Sequence, residues 1–564
     1  MRVYVNGSSK AIDLTQKDYV GGGGEGNIYV QGSVAYKIYT DPAKMIPLGK
    51  IDELSEITDP IVIRPEKIIV DSRNAPVGYT MRFIKHTYTL CQLFPRSFRE
   101  RNKIDKDIIF DLVQQFQQGV KNVHHAKVLI VDLNEMNFLV GKKTDHIYFI
   151  DTDSYQTKHY PATAIMPSIR DWKTKLGKFN ENSDWFSFGI VSFQMFTGIH
   201  PYKGKHPKVH GLEDRMQAGI SVFNKEVSVP SAVYPFSVIP KDYLHWYTAM
   251  FEKGERLPPP DKPTPFIIAV AVPVFVPTAI HSSNFNIEEI RDYQSDVIGI
   301  TGNSKNLVVT TTAGVWWNNH KALDASKAVC GIGFSKGSTP VAITKKDNGN
   351  IGLIDLQTSR NIPFDMNYSQ ISSCDDRAYF KLIDHIYEVV FTGSGNSIVA
   401  SSRDTASILE HAADLYPGVV IQKLLGASYV SLLSSTGTNQ IRIKELDKYK
   451  IVDAKFDRGV LMVVGVLHGK YDRLIFRFDS DNSYDLRLVA DIVNTGLNFV
   501  SLDSGICVSL NEDDELELLS TRKGSSSIKA IKDNFVNGKT VIGDCHDGVF
   551  VANGSKVYRV KMKN

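Results

Sequence analysis

The sequence predicts a multidomain protein in which an α+β unit is followed by an all-β unit, a β-propeller of about seven blades. The chain has 564 residues, which is more than one hydrophobic core organises. Helical periodicity occurs in the first half, and after a proline-rich stretch it gives way to short apolar runs separated by Gly, Asn, Asp and Ser. These runs recur at a mean step of about 40 residues, which is typical of four-stranded propeller blades, and a large β-sandwich is the alternative.

The proline-rich stretch GERLPPPDKPTP separates the two units. Residues 1–262 form the first unit, residues 263–290 a proline-rich linker with an entry strand, and residues 291–564 the predicted propeller. Apolar residues at intervals of three and four predict helices over 105–127 and 184–196 in the first unit. Paired strands of the propeller are expected to begin near Asn306, Pro340, Arg377, Ala427, Gly459, Gly505 and Asp547.

The composition is that of a soluble globular protein, with 42% hydrophobic and 23% charged residues and a net charge of +3. Basic and acidic residues are nearly balanced in both halves, so we expect neither nucleic acid nor an anionic membrane as a partner. The five cysteines are scattered and contain no C-x-x-C pair, which indicates reduced thiols in a cytoplasmic protein. No oligomeric state is predicted.

The N-terminus and the linker after the first unit lack the patterns of targeting or membrane segments. The N-terminal MRVYVNGSSKAIDL alternates around Asn6 and Gly7, as a hairpin does, and has no apolar core of a signal peptide. The most apolar run, residues 265–280, is shorter than the roughly 20 residues that cross a bilayer. Pro273 and Pro277 interrupt it, so we expect a buried extended segment.

Four consecutive glycines precede an apolar ribbon in VGGGGEGNIYVQGSVAYKIY, residues 20–39. Because glycine has no Cβ, its backbone N–H groups can approach a phosphate closely. Gly21, Gly23 and Gly26 form G-x-G-x-x-G, and the ribbon ends in the V-A-x-K pattern in which Lys37 would hold nucleotide phosphates. The helix that follows a dinucleotide-binding fingerprint is missing, and so is the G-K-[ST] of a P-loop.

Three acidic or amide residues further along the chain have the spacing of a phosphoryl-transfer site. VLIVDLNEMNFLV contains D-x-x-x-x-N, formed by Asp132 and Asn137. Phosphoryl transfer needs a carboxylate that orients a hydroxyl and takes its proton, and an amide oxygen that helps to hold magnesium. The strand in HIYFIDTDSYQ ends at Asp151, where a second carboxylate coordinates the metal. DWFSFGIVSFQMFTGIHPYKG then predicts a buried helix that begins at Asp184 and ends at Gly198.

Together, and in this order, these fragments match the protein-kinase fold. Residues 14–262 resemble bacterial eukaryotic-like serine/threonine kinases, and most of all the divergent group often found beside tellurite-resistance and phosphatase genes. Members of that group show a D-L-N-x-x-N loop and a D-x-D-S-[FY]-Q segment. The resemblance implies a bilobal protein-kinase-like fold, with the N-lobe over about 1–84 and the C-lobe over about 85–262, that uses ATP and Mg²⁺.

The resemblance also implies roles for residues of the N-lobe. Lys37 would pair with a carboxylate on the next helix, supplied by Glu53 or Glu56, of which we favour Glu53. Met81 would lie at the back of the nucleotide pocket. The backbone around Phe83 would receive adenine.

In the C-lobe, Asp132 would orient the acceptor hydroxyl, while Asn137 and Asp151 would hold Mg²⁺. Asp184 would brace the catalytic loop from below. Asn134 occupies the place of a catalytic lysine, and this removes a positive charge near the γ-phosphate, which slows transfer.

Other positions depart from the kinase pattern. Ile130 and Val131 replace the usual His-Arg, so switching by phosphorylation of the activation loop is not expected. D-F-G becomes Asp151-Thr152-Asp153, in which Asp153 would bind metal or make a local turn. A-P-E becomes Met166-Pro167-Ser168, and the carboxylate that ties down the peptide-binding segment is expected to be missing.

We therefore expect an ATP- and Mg²⁺-dependent serine/threonine protein kinase whose propeller recruits a protein substrate or partner. Two alternatives stay open. A pseudokinase would serve as a scaffold through its propeller, and a small-molecule kinase of the aminoglycoside-phosphotransferase type would share the D-x-x-x-x-N loop and the I-D strand end.

Overall fold

The computed structural model describes residues 1–264 and 282–563, apart from short gaps at 304, 319, 325–328, 337, 347, 375–376, 395–396, 435–436, 494 and 546–547. The apolar run 265–280, expected to be a buried extended segment, lies outside the described residues. Among the helices that are described, none has the length and apolar character needed to cross a membrane. The structure is mostly β, with its longer helices in the first unit.

The first unit begins with a seven-stranded antiparallel sheet and one short helix. The strand order is β2-β1-β6-β7-β5-β4-β3. The predicted N-terminal hairpin is confirmed, because β1 and β2 pair and Gly7 adopts φ +79° at the turn. The elements are β1 (Arg2–Val5), β2 (Ala11–Asp13), β3 (Tyr19–Gly22), β4 (Gly26–Gln31), β5 (Val34–Tyr39), α1 (Leu48–Leu54), β6 (Lys67–Val70) and β7 (Pro76–Arg82).

In the rest of the first unit, helices are the longest regular elements. Its elements are β8 (Thr87–Thr89), α2 (Arg96–Asn102), α3 (Lys106–His125), β9 (Phe138–Gly141), β10 (Ile147–Phe149), α4 (Glu181–Thr197), α5 (Leu212–Ala218) and α6 (Lys241–Phe251). The two predicted helices are confirmed as α3 and α4. Helix α4 begins before the predicted Asp184, because Asn180 caps it by accepting a hydrogen bond of 3.1 Å from the backbone N–H of Ser183. It ends at Gly198, which adopts φ +79°.

The second unit consists, within the described residues, of seven four-stranded antiparallel sheets. Each predicted strand pair falls in a different sheet. The strands are β11 (Phe285–Asp292), β12 (Val297–Gly302), β13 (Leu307–Thr311), β14 (Gly314–Trp317), β15 (His320–Asp324), β16 (Val329–Phe334), β17 (Pro340–Lys345), β18 (Ile351–Asp355), β19 (Asn361–Ile362), β20 (Gln370–Cys374), β21 (Arg377–Leu382), β22 (His385–Ser394), β23 (Ser397–Ser407), β24 (Ala413–Tyr416), β25 (Val419–Leu424), β26 (Ala427–Ser434), β27 (Gly437–Arg442), β28 (Lys450–Asp457), β29 (Val460–Leu467), β30 (Lys470–Phe478), β31 (Tyr484–Val489), β32 (Phe499–Ser501), β33 (Ile506–Leu510), β34 (Leu516–Ser520), β35 (Ile528–Ile531), β36 (Val541–Cys545), β37 (Gly548–Asn553) and β38 (Lys556–Met562).

The seventh sheet combines the two ends of this unit. Strand β11 pairs with the C-terminal β38, so the sheet order is β11-β38-β37-β36. Val551 of this sheet packs in one hydrophobic cluster with Val508 of the sixth sheet. Phe550 of the same sheet packs in another with Val309 of the first sheet. The seventh sheet therefore contacts both its predecessor and the first sheet.

The two units share a hydrophobic core. A single cluster contains Phe116 of α3 and Phe188 of α4, whose rings lie 5.0 Å apart, together with Val460 and Tyr471 of the fifth sheet. Side chains buried jointly by two units hold them in a fixed relation, because separation would expose apolar surface to water. The second unit is therefore packed directly against the helical part of the first.

Candidate active site

Lys37 lies in the middle of strand β5, and its ammonium group approaches the carboxylates of Asp151 and Asp153; we call the space between this strand and those carboxylates the cleft. The pairing of β5 with β7 places Lys37 opposite Tyr79 and Ala35 opposite Met81, so these four residues share one face of the sheet. Lys37 is 7% exposed. Burial disfavours its charge, but the nearby carboxylates outweigh that effect and hold the pKa of Lys37 above its usual value. The lysine is therefore a buried cation.

The glycine-rich turn connects β3 to β4 above this lysine. A Cβ added at Gly21 or Gly23 would meet nothing within 4 Å, so both present bare backbone to open space. A Cβ at Gly26 would collide with the carbonyl oxygen of Ile38, because β4 and β5 approach closely there. Glu25, at the tip of the turn, has its carboxylate 3.6 Å from the Lys37 ammonium. The turn therefore reaches the same cleft as Lys37.

The expected ion pair between Lys37 and Glu53 is not the arrangement found. Glu53 accepts a hydrogen bond of 3.2 Å from the backbone N–H of His159, and its other oxygen contacts the His159 ring. Hydrogen bonds from Thr157 and His159 lower the pKa of Glu53 to about 2. Glu56 lies beyond the end of α1. Glu53 therefore faces the segment around Thr157 and His159 and not Lys37.

Asp184 holds the backbone of residues 129–137, the loop that the sequence predicts to be catalytic. Its fully buried carboxylate accepts hydrogen bonds of 2.8 Å from the N–H of Ile130 and 2.9 Å from the N–H of Val131. His124 Nε2 lies 2.9 Å from the same carboxylate. Val131 adopts φ +64°, a left-handed conformation that is strained for a β-branched residue. The two hydrogen bonds to Asp184 offset this strain and fix the position of Asp132.

Asp132 is held from both sides by hydrogen bonds. Oδ1 accepts one of 2.9 Å from the N–H of Met166, and Oδ2 accepts one of 2.9 Å from the side-chain amide of Asn134. Asn137 donates a hydrogen bond of 3.0 Å to the Asp132 carbonyl oxygen. Burial raises the pKa of Asp132 above the usual value for aspartate. Asn134, expected to mark only a missing lysine, thus orients the Asp132 carboxylate.

Asp151 is brought beside Asn137 by the backbone. The N–H of Ile150 donates a hydrogen bond of 3.0 Å to the carbonyl oxygen of Asn137. Asp151 adopts φ +59°, and its side chain is 44% exposed, which leaves its carboxylate open to the cleft. Partial burial of the carboxyl group and the nearby charge of Asp153 raise the pKa of Asp151. One of its oxygens lies 3.4 Å from the Lys37 ammonium.

Asp153 lies deeper in the same turn. Its side chain is 2% exposed, and Oδ2 lies 2.5 Å from the Lys37 ammonium and accepts a hydrogen bond of 2.8 Å from the Tyr39 hydroxyl. Burial opposes its ionisation, but the Lys37 charge and these hydrogen bonds outweigh burial and lower the pKa of Asp153. The other oxygen, Oδ1, is buried and accepts no hydrogen bond from the residues described.

The oxygen atoms of Asp151, Asn137 and Asp153 are ligands that suit a hard divalent cation. Carboxylate and amide oxygens are the ligands that Mg²⁺ prefers, and such ions are held by one or two carboxylates with the phosphates of a substrate. Asp151 and Asn137 supply a carboxylate and an amide group at the cleft, and Asp153, in the same turn as Asp151, has a buried oxygen without a hydrogen-bond partner among the described residues. The residues present therefore fit the expected metal ion.

The segment before α4 is tied down by a carboxylate that the sequence analysis missed. Asp171 accepts two hydrogen bonds from Arg256, of 2.6 Å from Nε and 2.7 Å from Nη2, and its side chain is 2% exposed. The expectation that no carboxylate anchors this segment was wrong. The anchor stands three residues after Ser168, outside the A-P-E pattern, so its role follows from its contact with Arg256 and not from its spacing.

Replacing Asp171 by asparagine is expected to lower the free energy of unfolding by about 2 kcal/mol, because Arg256 then stays largely buried without its partner. Burial opposes ionisation of Asp171, but Arg256 outweighs burial and lowers the pKa of Asp171. The ion pair therefore stabilises the fold fully at a pH above the usual aspartate pKa. This stabilisation is lost as the pH falls through the pKa of Asp171 in the folded protein. Urea unfolding of the wild type and of Asp171→Asn at pH 7 and pH 3 measures this difference in the free energy of unfolding. The exposed Asp261, replaced by asparagine, is the control. A difference between wild type and Asp171→Asn that is larger at pH 3 would contradict the assignment.

The second unit contacts the loop that carries Asp132. Tyr471 donates a hydrogen bond of 2.8 Å to Glu135, which is 2% exposed and lies three residues after Asp132. A Cβ at Gly469 would meet the side chains of Met166 and Ser168, so this turn rests on the segment that binds Asp132. The propeller-like unit therefore touches the loop that carries Asp132.

Two further contacts join the units. Lys203 of the C-lobe lies 2.7 Å from the Asp491 carboxylate and donates a hydrogen bond of 3.0 Å to the Ile492 carbonyl. On the N-lobe side, the Phe83 ring meets the His411 ring edge-on at 5.4 Å. Phe83 is thus partly covered by the second unit, and the roles of Met81 and Phe83 in a nucleotide pocket stay predictions.

No family model matches the chain. Over 129 residues, 19% of this chain, it is 28% identical to kinase suppressor of Ras A of Caenorhabditis elegans and covers 17% of that protein. Over 156 residues, 27% of this chain, it is 23% identical to a probable serine/threonine-protein kinase of Dictyostelium discoideum and covers 11% of it. Over 190 residues, 32% of this chain, it is 22% identical to serine/threonine-protein kinase Nek2 of Homo sapiens and covers 42% of it.

The chain thus spans less than half the length of these relatives. The similarity is partial and of low identity, and it supports a protein-kinase-like relationship. The bacterial group named from the sequence motifs stays a prediction.

Proposed function

We propose that the protein is an ATP- and Mg²⁺-dependent serine/threonine protein kinase. The observation that carries this proposal is the meeting of remote residues in one cleft. Lys37 contacts Asp151 at 3.4 Å, the residue before Asp151 is hydrogen-bonded to Asn137, and Asn137 is hydrogen-bonded to Asp132. The glycine-rich turn reaches the same lysine through Glu25.

In this proposal the glycine-rich turn and Lys37 bind the phosphates of ATP, with adenine between Met81 and the backbone near Phe83. Asn137 and Asp151 hold Mg²⁺, which neutralises charge on the phosphates when it is bound. Asp132 accepts the proton of the acceptor hydroxyl as the hydroxyl oxygen bonds to the γ-phosphorus and ADP leaves. Asn134 keeps the Asp132 carboxylate oriented for this step.

We further propose that the seven sheets close into a β-propeller that recruits a protein substrate or partner. Packing of the seventh sheet against both the sixth and the first supports closure. The outer strand β23 is exposed or half-exposed along its length, so it is open to contacts with another protein. Rigid stacked sheets of this kind commonly present binding faces.

The proposal is tested with purified full-length protein, γ-labelled ATP and protein acceptors. We expect Mg²⁺-ATP to raise the unfolding midpoint, since a ligand bound only by the folded state stabilises it, and chelation of Mg²⁺ to reduce that rise. Transfer of label to a protein hydroxyl is the second expected result. Absence of both the shift and the transfer would contradict the proposal, and transfer to small hydroxyl compounds alone would indicate a small-molecule kinase.

One observation favours a second candidate, a nucleotide-binding pseudokinase that acts as a scaffold. Both oxygens of Asp132 already accept hydrogen bonds, and the second unit rests on Met166 and Ser168 beside it. A midpoint shift with Mg²⁺-ATP but no transfer to any acceptor would favour the scaffold.

A further inference from the structure

Among the described residues, the carboxylate nearest to Lys37 belongs to Asp153. The distances from the Lys37 ammonium are 2.5 Å to Asp153, 3.4 Å to Asp151 and 3.6 Å to Glu25. Asp153 also accepts a hydrogen bond from Tyr39, which lies two residues after Lys37 on the same face of β5. Strand β5 therefore directs two side chains to one carboxylate oxygen.

Helix α1 approaches the same residue with a cation. Lys50, 6% exposed, donates a hydrogen bond of 2.6 Å to the carbonyl oxygen of Asp153. Glu53, one turn further along α1, is held by His159. The side of α1 that faces the cleft thus supplies an ammonium group, and a carboxylate partner for Lys37 has to come from elsewhere.

The turn that carries Asp153 is fixed at both ends. The Thr152 hydroxyl donates a hydrogen bond of 3.1 Å to the carbonyl oxygen of Ile63, and the Ser154 hydroxyl donates one of 2.8 Å to the carbonyl oxygen of Asp151. Neighbours locked in this way hold a side chain in a defined position. Asp153 is thus a rigid anchor for the flexible side chain of Lys37.

We propose that Asp153 is the residue that positions Lys37. The sequence predicts Glu53 for this role. The inference rests on the proposed function, because the lysine is held for the phosphates of the nucleotide. Asp151 belongs to the same turn, so one segment sets the positions of both the lysine and the metal-binding carboxylate. Movement of α1 is then not required to place Lys37.

Four variants of the full-length protein test this assignment. Asp153→Asn is expected to lower kcat about 10²-fold and to raise KM for ATP several-fold, because the lysine is no longer held at the phosphates. Asp153→Glu, which keeps the carboxylate, is expected to recover part of kcat. Glu53→Gln tests the rival assignment and is expected to change kcat less than about 3-fold. Asp13→Asn, an exposed change on the same sheet, is the matched control.

Unfolding midpoints measured without nucleotide test this inference separately from the proposed function. Asp153→Asn leaves the buried Lys37 without its closest partner and is expected to lower the unfolding midpoint by about 5 °C or more, against a small change for Glu53→Gln. The unfolding midpoint of the double variant Lys37→Met, Asp153→Asn is expected to fall by less than the sum of the falls in its two single variants.

The outcomes are distinguishable. Wild-type protein that neither binds nor turns over ATP refutes the proposed function, and the midpoints still decide the pairing. Equal midpoints for Asp153→Asn and Glu53→Gln, additive effects in the double variant, or wild-type kcat and KM in Asp153→Asn would overturn the assignment of Asp153.

Discussion

Replacing Asp132 by asparagine is expected to lower the rate of phosphate transfer about 10³-fold while leaving the fold intact. Asparagine has nearly the same shape and keeps an oxygen that can accept the N–H of Met166, which now bonds Oδ1 at 2.9 Å. What it loses is the negative charge that takes a proton from the acceptor hydroxyl, and the second oxygen, which accepts the hydrogen bond from Asn134. The rate is measured with γ-labelled ATP at saturation, and the fold with the unfolding midpoint.

The matched control for this prediction is Asp111→Asn. Asp111 is an exposed aspartate on α3, so the same chemical change there tests whether any loss of carboxylate affects transfer. We expect wild-type rates for this control. If Asp132→Asn transfers phosphate at the wild-type rate, the assignment of the base is wrong. If its midpoint falls by more than a few degrees, the lost rate reflects unfolding, and the rate per folded molecule is compared instead.

Replacing Asp184 by alanine is expected to lower the free energy of unfolding by about 3–5 kcal/mol, the cost of removing a buried, hydrogen-bonded charge. The change leaves the N–H groups of Ile130 and Val131 without their acceptor. It also releases the strained left-handed conformation of Val131, which these hydrogen bonds hold in place. Residues 129–137 should therefore open locally before the rest of the chain unfolds.

Urea unfolding measures the loss of stability, and hydrogen exchange measures the local effect. Amide exchange of residues 129–137 is expected to accelerate in Asp184→Ala, whereas exchange in the second unit stays unchanged. Glu181→Gln is the control, because Glu181 lies on the same helix turn but is 58% exposed. Unchanged exchange of the loop in Asp184→Ala would show that other contacts hold Val131.

Most of the secondary structure could be predicted from local pattern. The hairpin at Asn6 and Gly7, helices α3 and α4, and a strand pair in each of the seven sheets follow from periodicity and turn residues. Strand β11 could not be paired in this way. It joins β38 at the other end of the unit, and the separation of the two strands leaves no local signal of their contact.

The candidate site likewise has residues that the sequence predicts and contacts that it does not. The order of Lys37, Asp132, Asn137 and Asp151 along the chain is enough to nominate them, because their spacing fits one reaction. The partner of Lys37 was wrongly expected to be Glu53, since spacing along α1 does not reveal which side of a seven-residue helix meets the cleft. Asp171 was missed because nothing near it in sequence marks its contact with Arg256.

The sequence by itself determined which residues have the chemistry for phosphate transfer and where apolar periodicity changes from helix to repeated strands. Only the tertiary structure decided which charges meet, including Lys37 with Asp153 and Glu135 with Tyr471. The physical reason is that a local pattern shows only which residues of a helix or strand face the core. A contact between buried polar groups depends on the packing of elements that are far apart in the chain.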